Sequence, residues 1–272
     1  MDLALSKGFF YTNNTISIFL LMIYPIIFVL YKGKRLIVSA AICFFSLILI
    51  GTKTALLGGI AISVLMILLY LYYNTEISQK IKEPKYRKLI LGVVSLLIIV
   101  GCLCLIVVGI KLYDKYQQSP WYDSFADFII SNRSFQLELI KGCLDSERNI
   151  FTNLFGFGYS RIESEYASKE VYHAIEMDIQ GIYYNFGVIV LIAVLAILII
   201  TIYKAVKILL RNRNMWNLTI LLIFILGVFH SIFAGHVMYE ALSQLPFWIV
   251  VGYINILYED MGNEMRKSED KI

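Results

Sequence analysis

Residues 188–200 read VIVLIAVLAILII, thirteen side chains with no hydrogen-bonding group among them. Such a run narrows the folds open to the chain. A backbone sunk in hydrocarbon must satisfy its own N–H and C=O groups, and an α-helix does so within one segment. The run is not isolated. With roughly 20 apolar residues per crossing as the ruler, seven candidate spans lie near 15–31, 36–52, 54–73, 89–110, 181–203, 216–238 and 241–258. The chain is 59% hydrophobic, against about 45–50% for soluble domains. The expected fold is therefore all-α: a polytopic membrane helix bundle of about seven transmembrane helices, one integral membrane domain over 1–272. Residues 112–180 form one large helical loop within it.

Charge sets the expected orientation. The segments KGKR (32–35), KIKEPKYRK (80–88) and KAVKILLRNR (204–213) follow the first, third and fifth spans, and the C-terminal tail adds Arg266, Lys267 and Lys271. These segments hold fifteen of the 24 Lys and Arg, all on one side if the spans alternate. By the positive-inside rule that side is the cytoplasm. A multi-pass plasma-membrane protein is expected, with its N-terminus outside and its C-terminus cytoplasmic. The turn GTKT (51–54), loop 112–180 and the turn near 239 then face outward. The basic total is anchoring charge and gives no reason to expect nucleic acid. The outer loop itself is acidic, with six Lys or Arg against ten Asp or Glu between Leu112 and Met177.

Cys43, Cys102 and Cys104 lie within spans, and Cys143 alone lies in the outer loop, so no outer disulfide framework is expected within one chain. The opening stretch MDLALSKGFFYTNN has neither a charged n-region nor a cleavage site and does not read as a signal peptide. Pro25 and Pro246 fall within spans, where they kink helices. The segment FGFG (155–158) is too short for a dinucleotide or phosphate-loop fingerprint and reads as a turn at Gly156 and Gly158. CxxC, HExxH and GxSxG patterns are absent, so neither a metal nor a cofactor is expected. An outer loop of more than sixty residues, rich in Phe and Tyr, is too long for a mere connector. Within it, SNRSFQLELIKGCLDSE (131–147) reads as an amphipathic helix capped by Ser131 or Asn132, with Phe135, Leu139 and Cys143 as its apolar stripe.

The chemistry-bearing residues on the expected outer side are Lys53, Arg133, Arg161, His173, Glu176, Asp178 and His236. The stretch HAIEMDIQGIYYNFG (173–187) sits at the lip of the fifth span, where charge is costly unless it pairs or faces water. As a helix it places His173, Glu176, Gln180, Tyr184 and Gly187 on one face, and Asp178, Gly181 and Asn185 on another. Polar groups thus continue into the span on defined faces, as a functional site or as hydrogen bonds between helices. For Arg133 and Arg161 the alternatives are phosphate capture through a bidentate fork and surface ion pairing with the acidic loop. Lys53 either binds substrate or reaches up to the interface.

Several stretches, in order, resemble the O-antigen polymerase and O-antigen ligase superfamily. GTKTALLGGIAISVLMILL (51–69) is similar to its S-x-R-T-A segment, with Lys53 where the family often has Arg. SNRSFQLELI and NLFGFGYSRIES (131–140, 153–164) resemble its Arg-containing loop helix and the Leu-Phe-Gly-x-Gly turn that follows. HAIEMDIQGIYYNFGVIVLI (173–192) looks like its polar, aromatic stretch before a late span. SKGFFYTNNTISIFL (6–20) and FAGHVMYEALSQLP (233–246) are similar to segments at the start of an early span and after the loop. The family's members usually carry more spans, so seven fit a short member or a C-terminal portion.

The resemblance implies a multi-spanning, GT-C-like glycosyltransferase. It would polymerise oligosaccharide repeats carried on undecaprenyl diphosphate into capsule, O-antigen or exopolysaccharide, on the outer face of the plasma membrane and without a metal. Its partners would be the lipid-linked oligosaccharide, the bilayer, and a flippase and chain-length regulator of the same pathway. It implies catalytic roles for His173, Glu176 and Asp178, and diphosphate or glycan binding by Arg133, Arg161, Lys53 and His236. The physics agrees: a sugar hydroxyl attacking an anomeric carbon needs a base, and a departing diphosphate needs fixed cations. The helical wheel favours a His173–Glu176 pair, since Asp178 lies on the other face. Ala174 follows His173 where many ligases have Asn, which disfavours ligase transfer to a final acceptor. A flippase would place ionisable residues mid-span, and the span interiors here are nearly free of them. A non-catalytic scaffold or sensor is a third class.

Overall fold

In the computed structural model, residues 13–74, 84–119, 124–129, 133–168, 175, 177–238 and 240–269 are described. The helices are α1 (Asn13–Leu30), α2 (Gly33–Ile50), α3 (Lys53–Tyr73), α4 (Pro84–Gln117), α5 (Phe125–Ile129), α6 (Arg133–Leu144), α7 (Ile150–Phe155), α8 (Tyr159–Ser168), α9 (Asp178–Arg211), α10 (Met215–Phe233) and α11 (Ala241–Glu269). A 3₁₀ turn, Asp145–Glu147, follows α6. No strand occurs among the described residues. Each of the seven expected spans falls on a helix. Among the described residues, α1, α2, α3, α9 and α10 are long and apolar enough to cross a membrane by length and composition. The protein is a polytopic helical membrane protein.

The chain forms two compact units, one of residues 1–117 and 207–223, the other of residues 118–206 and 224–272. In the first, α1 packs on α2 and α3, and α3 on α4. Ile18, Leu21 and Met22 of α1, Leu47 of α2, and Ala55, Ile62 and Met66 of α3 are buried in its interior. The GTKT turn works because Gly51 closes α2 in the left-handed conformation and Thr52 caps α3, accepting from the Ala55 N–H at 3.0 Å. The Ser17 hydroxyl lies 2.6 Å from that of Thr52, and Tyr24 lies 2.9 Å from Ser63, so polar groups join the helices where apolar contact between them adds little in lipid.

In the second unit α6 packs on α5 and α8. Ile140 and Leu144 of α6 join Ile162 of α8, Ile175 and Tyr184 in one buried cluster, with Leu137, Phe157 and Tyr183 against it. The buried stripe of α6 thus runs through Ile140 and Leu144, with the half-buried Leu137 packed against the same cluster, whereas Leu139 and Cys143 of the expected stripe are half-buried and not among its residues. Both stripes satisfy a 3.6-residue period. The one facing Ile162 and Tyr184 wins, and the N-terminal continuation of that face is Arg133. The side chain of Phe135 and the capping pair Ser131 and Asn132 lie outside the described residues.

The expected fifth span, 181–203, is divided. Gly187 has φ 79° and ψ −178°, so residues 178–186 form a short helix of their own before the apolar run. A break at that point frees the carbonyls of Tyr184 and Asn185. The FGFG turn supplies the missing donors: the Phe157 N–H reaches the Tyr184 oxygen at 2.8 Å, and the Gly158 N–H that of Asn185 at 3.1 Å. The two backbones touch. A Cβ on Gly187 would lie 2.3 Å from the Leu154 oxygen, and one on Gly156 would lie 2.4 Å from the Asn185 oxygen. Gly187→Ala is therefore expected to lower stability by more than the ~1–3 kcal/mol of its backbone strain alone. Gly252→Ala, with nothing within 4 Å of the added methyl, should change it little. Thermal unfolding of the purified protein in detergent compares the two, and equal midpoints would refute the clamp.

Candidate functional site

The short helix that opens α9 is held at its other end by Asp178. Its carboxylate is fully buried and accepts from three consecutive backbone N–H groups: His236 at 3.0 Å, Val237 at 2.9 Å and Met238 at 3.0 Å. Successive main-chain N–H groups form a concavity suited to an anion, and here the anion is part of the chain. Gly235 and His236 make the turn by adopting φ of 70° and 65°. Positive φ is rare outside glycine, and histidine is among the residues that tolerate it best. Ser243, buried in the first turn of α11, donates to the His236 carbonyl and completes the corner between α10 and α11. Asp178 thus shapes a turn and presents no exposed surface to a substrate.

His236, at the crest of this turn, sets its Nδ1 3.4 Å from Glu240 Oε1, and its side chain is mostly buried. His230, one turn before the end of α10, is buried, and its ionisable neighbours include Arg133 and His236. Arg133 is itself only 7% exposed at the start of α6. The structure therefore brings together Arg133, Asp178 and the His230–His236 turn, which come from three separate stretches of sequence. Lone buried cations are expensive unless paired, so an arginine in this position is held by its surroundings. A fixed guanidinium in such a setting can bind an anion.

Sequence reasoning missed His230, because LGVFHSIF reads as uninterrupted span. Its signal was an ionisable group inside hydrocarbon. Arg148 was missed too. Its guanidinium lies over the Tyr183 and Tyr184 rings, with centroids at 5.4 and 5.5 Å, donates to the Tyr184 hydroxyl at 3.3 Å and pairs with Asp145 at 3.2 Å. Polar and aromatic neighbours of this kind suit the face of a sugar.

The other expected site residues are placed differently. Arg161 is on the surface, its guanidinium divided between Glu147 at 2.5 Å and Glu165 at 2.6 Å. The hydrogen bond that it donates to Glu147 holds its pKa above the usual arginine range. Of the two alternatives for this residue, ion pairing with the acidic loop is the one present. Lys53 opens α3 in the first compact unit, half-buried. His173 and Glu176 lie outside the described residues. Asn185, on the Asp178 face as expected, donates to the Gly181 carbonyl at 2.8 Å within its own helix.

Neither a curated protein nor a solved structure matches the chain. One family model does, described as O-antigen ligase like membrane protein, over residues 110–261. The match takes in the end of α4, the whole of loop 112–180, the broken helix α9, α10, the His236 turn and most of α11, which is more than half of the chain. The chain belongs to the O-antigen ligase-like membrane protein family.

Proposed function

We propose that the protein polymerises oligosaccharide repeat units carried on undecaprenyl diphosphate, by glycosyl transfer at the outer face of the plasma membrane. The family ties the chain to membrane-embedded, polysaccharide-related transfer. The observation that supports the finer statement is Arg133, a buried guanidinium at the start of α6 within electrostatic reach of His230. A hydroxyl of the acceptor sugar attacks the anomeric carbon of the donor. The bond from that carbon to the diphosphate oxygen breaks, and the hydroxyl proton passes to a base. Arg133 stabilises the leaving diphosphate with its bidentate fork, so the reaction calls for no metal. His236 lies on the same side of the site and binds the diphosphate or the glycan. His173, paired with Glu176, is the proposed base.

Asp178 takes a positioning role in this scheme, since it fixes the turn that carries His236. Arg161 and Lys53 are proposed as outer contacts for the glycan or diphosphate, with Arg161 first having to leave Glu147 or Glu165. Ala174 in place of the ligase asparagine favours polymerisation over transfer to a final acceptor. The positive-inside distribution supports an N-terminus outside and a C-terminus in the cytoplasm. A flippase and a chain-length regulator are the partners such a reaction calls for.

Purified protein in proteoliposomes, supplied with lipid-linked repeats, should lengthen the glycan and release undecaprenyl diphosphate. Movement of the lipid across the bilayer without bond formation would instead mark a flippase, and a single transfer to a final acceptor a ligase. Arg133→Ala should lower turnover by about 10²-fold or more, the scale for losing one group aimed at developing charge. Arg133→Lys keeps the charge and loses the fork, so an intermediate rate is expected. Full-length polymer from Arg133→Ala at normal protein levels would rule out the diphosphate role.

Asp178→Asn replaces one of the accepting oxygens by a donor. It should cost roughly 1–3 kcal/mol for a buried N–H left unpaired, with the thermal midpoint and polymer output falling together. Arg133→Lys should lower output with the midpoint largely kept. A stable, fully active Asp178→Asn protein would exclude the positioning role.

A further inference from the structure

The helix α7 carries large apolar side chains that are exposed among the described residues. Ile150 is 69% exposed, Phe151 71% and Phe155 63%, and Tyr159, the first residue of α8, is 58% exposed. Phe151 and Phe155 lie one turn apart and share a face of the helix. An aqueous loop rarely holds such a patch unless it meets a partner or a membrane.

The loop is nevertheless rigidly placed. Asn149 caps α7, accepting from Phe151 N–H at 2.9 Å and Thr152 N–H at 3.1 Å, while its own N–H reaches the Thr152 hydroxyl at 2.8 Å. The Tyr183 hydroxyl donates to Asn153 Oδ1 at 3.2 Å. The turn that ends α7 is bonded by its backbone to Tyr184 and Asn185. The polar side of α7 therefore faces the short helix of α9, and its aromatic side faces away.

What lies on that other side follows from where α7 is fastened. Its last turn touches the backbone at residues 185–187, and the apolar run begins at Val188. Phe186, Ile189, Val190 and Ile192 are exposed in the same way, and on a spanning helix the surface they form meets lipid. The helix that carries the α7 patch is fastened where that surface begins. We infer that α7 is a membrane-embedded element: Ile150, Phe151 and Phe155 sit in the acyl region of the leaflet that α9 enters after Gly187, with Tyr159 at its polar boundary. The partner is the bilayer itself. The exposed Ser146, Glu147 and Asn149 just before the helix would stay in the headgroup region. An amphipathic element of this kind binds through buried apolar area, and tyrosine suits the interface.

The test uses full-length protein with Cys43, Cys102, Cys104 and Cys143 replaced by alanine, reconstituted in phosphatidylethanolamine–phosphatidylglycerol vesicles. Phe151→Cys, Phe155→Cys and, as a water-facing reference, Ser146→Cys are introduced singly. All three positions are exposed, so the fold is not at stake. A charged thiol reagent should modify Phe151→Cys and Phe155→Cys at least about tenfold more slowly than Ser146→Cys, the factor that ~1.4 kcal/mol of preference for the buried state produces. A bimane attached there should be quenched by brominated lipid. Equal labelling rates would overturn the inference. So would slow labelling without lipid quenching that disappears on dilution of the protein in lipid, which would mark a second copy of the chain as the cover.

Discussion

Two hydrogen bonds between backbones, Phe157 N–H to Tyr184 O and Gly158 N–H to Asn185 O, allow this broken helix and its loop to exist. A helix that breaks beside hydrocarbon leaves carbonyls that no water reaches, and irregular backbone survives at such depth only where protein covers it. The FGFG turn is that cover. It can approach closely enough because both contact points are glycines, each at a φ near 80°. The break in turn frees residues 178–186 from the direction of the spanning helix, so that one short segment can serve as a platform beneath the loop.

The platform is pinned at both ends by main-chain partners. At its far end the FGFG turn donates to its carbonyls, and at its near end the Asp178 carboxylate receives the N–H groups of 236–238. Main-chain anchors move less than long side chains do, and a site that must hold a charged group in a low-dielectric setting gains from such fixed dipoles. The His236 turn is tied to the platform, and α6, with Arg133 at its start, packs through Ile140 and Leu144 onto the cluster that includes Tyr184. Arg133, His230 and His236 are thus assembled by one segment bound to elements far apart in sequence.

How much of this could be read beforehand follows from which atoms carry it. The spans were legible because each is a long apolar run, and helix is the structure such a run permits. The turn at Gly156 and Gly158 was legible from its glycines, but its partner was not, since the clamp joins peptide groups that every residue possesses. Helical spacing sets Asp178 on one face with Gly181 and Asn185, and all three lie in the short helix before Gly187. The actual ligand of Asp178, a row of N–H groups 58 to 60 residues later, leaves no mark on side-chain pattern. The stripe of α6 was misplaced in phase because apolar residues cover more than one face of that helix, and only tertiary contact selects among them. His230 was passed over because a single imidazole barely alters the hydropathy of a span.

The two loop arginines show why burial decides more than residue type. Both sit in stretches that resemble the same family, and both present the same planar fork. Arg161 stands in water with Glu147 and Glu165 on its nitrogens, so an arriving diphosphate would have to displace carboxylates that already neutralise it, in a medium that screens whatever attraction remains. Arg133 is withdrawn from water, within electrostatic reach of His230. There the effective dielectric is lower and a given charge acts more strongly. A dianionic leaving group gains more from the second environment than from the first. If the chain handles a lipid diphosphate, Arg133 is therefore the stronger of the two for the leaving group, and Arg161 is better suited to steadying the acidic loop around it.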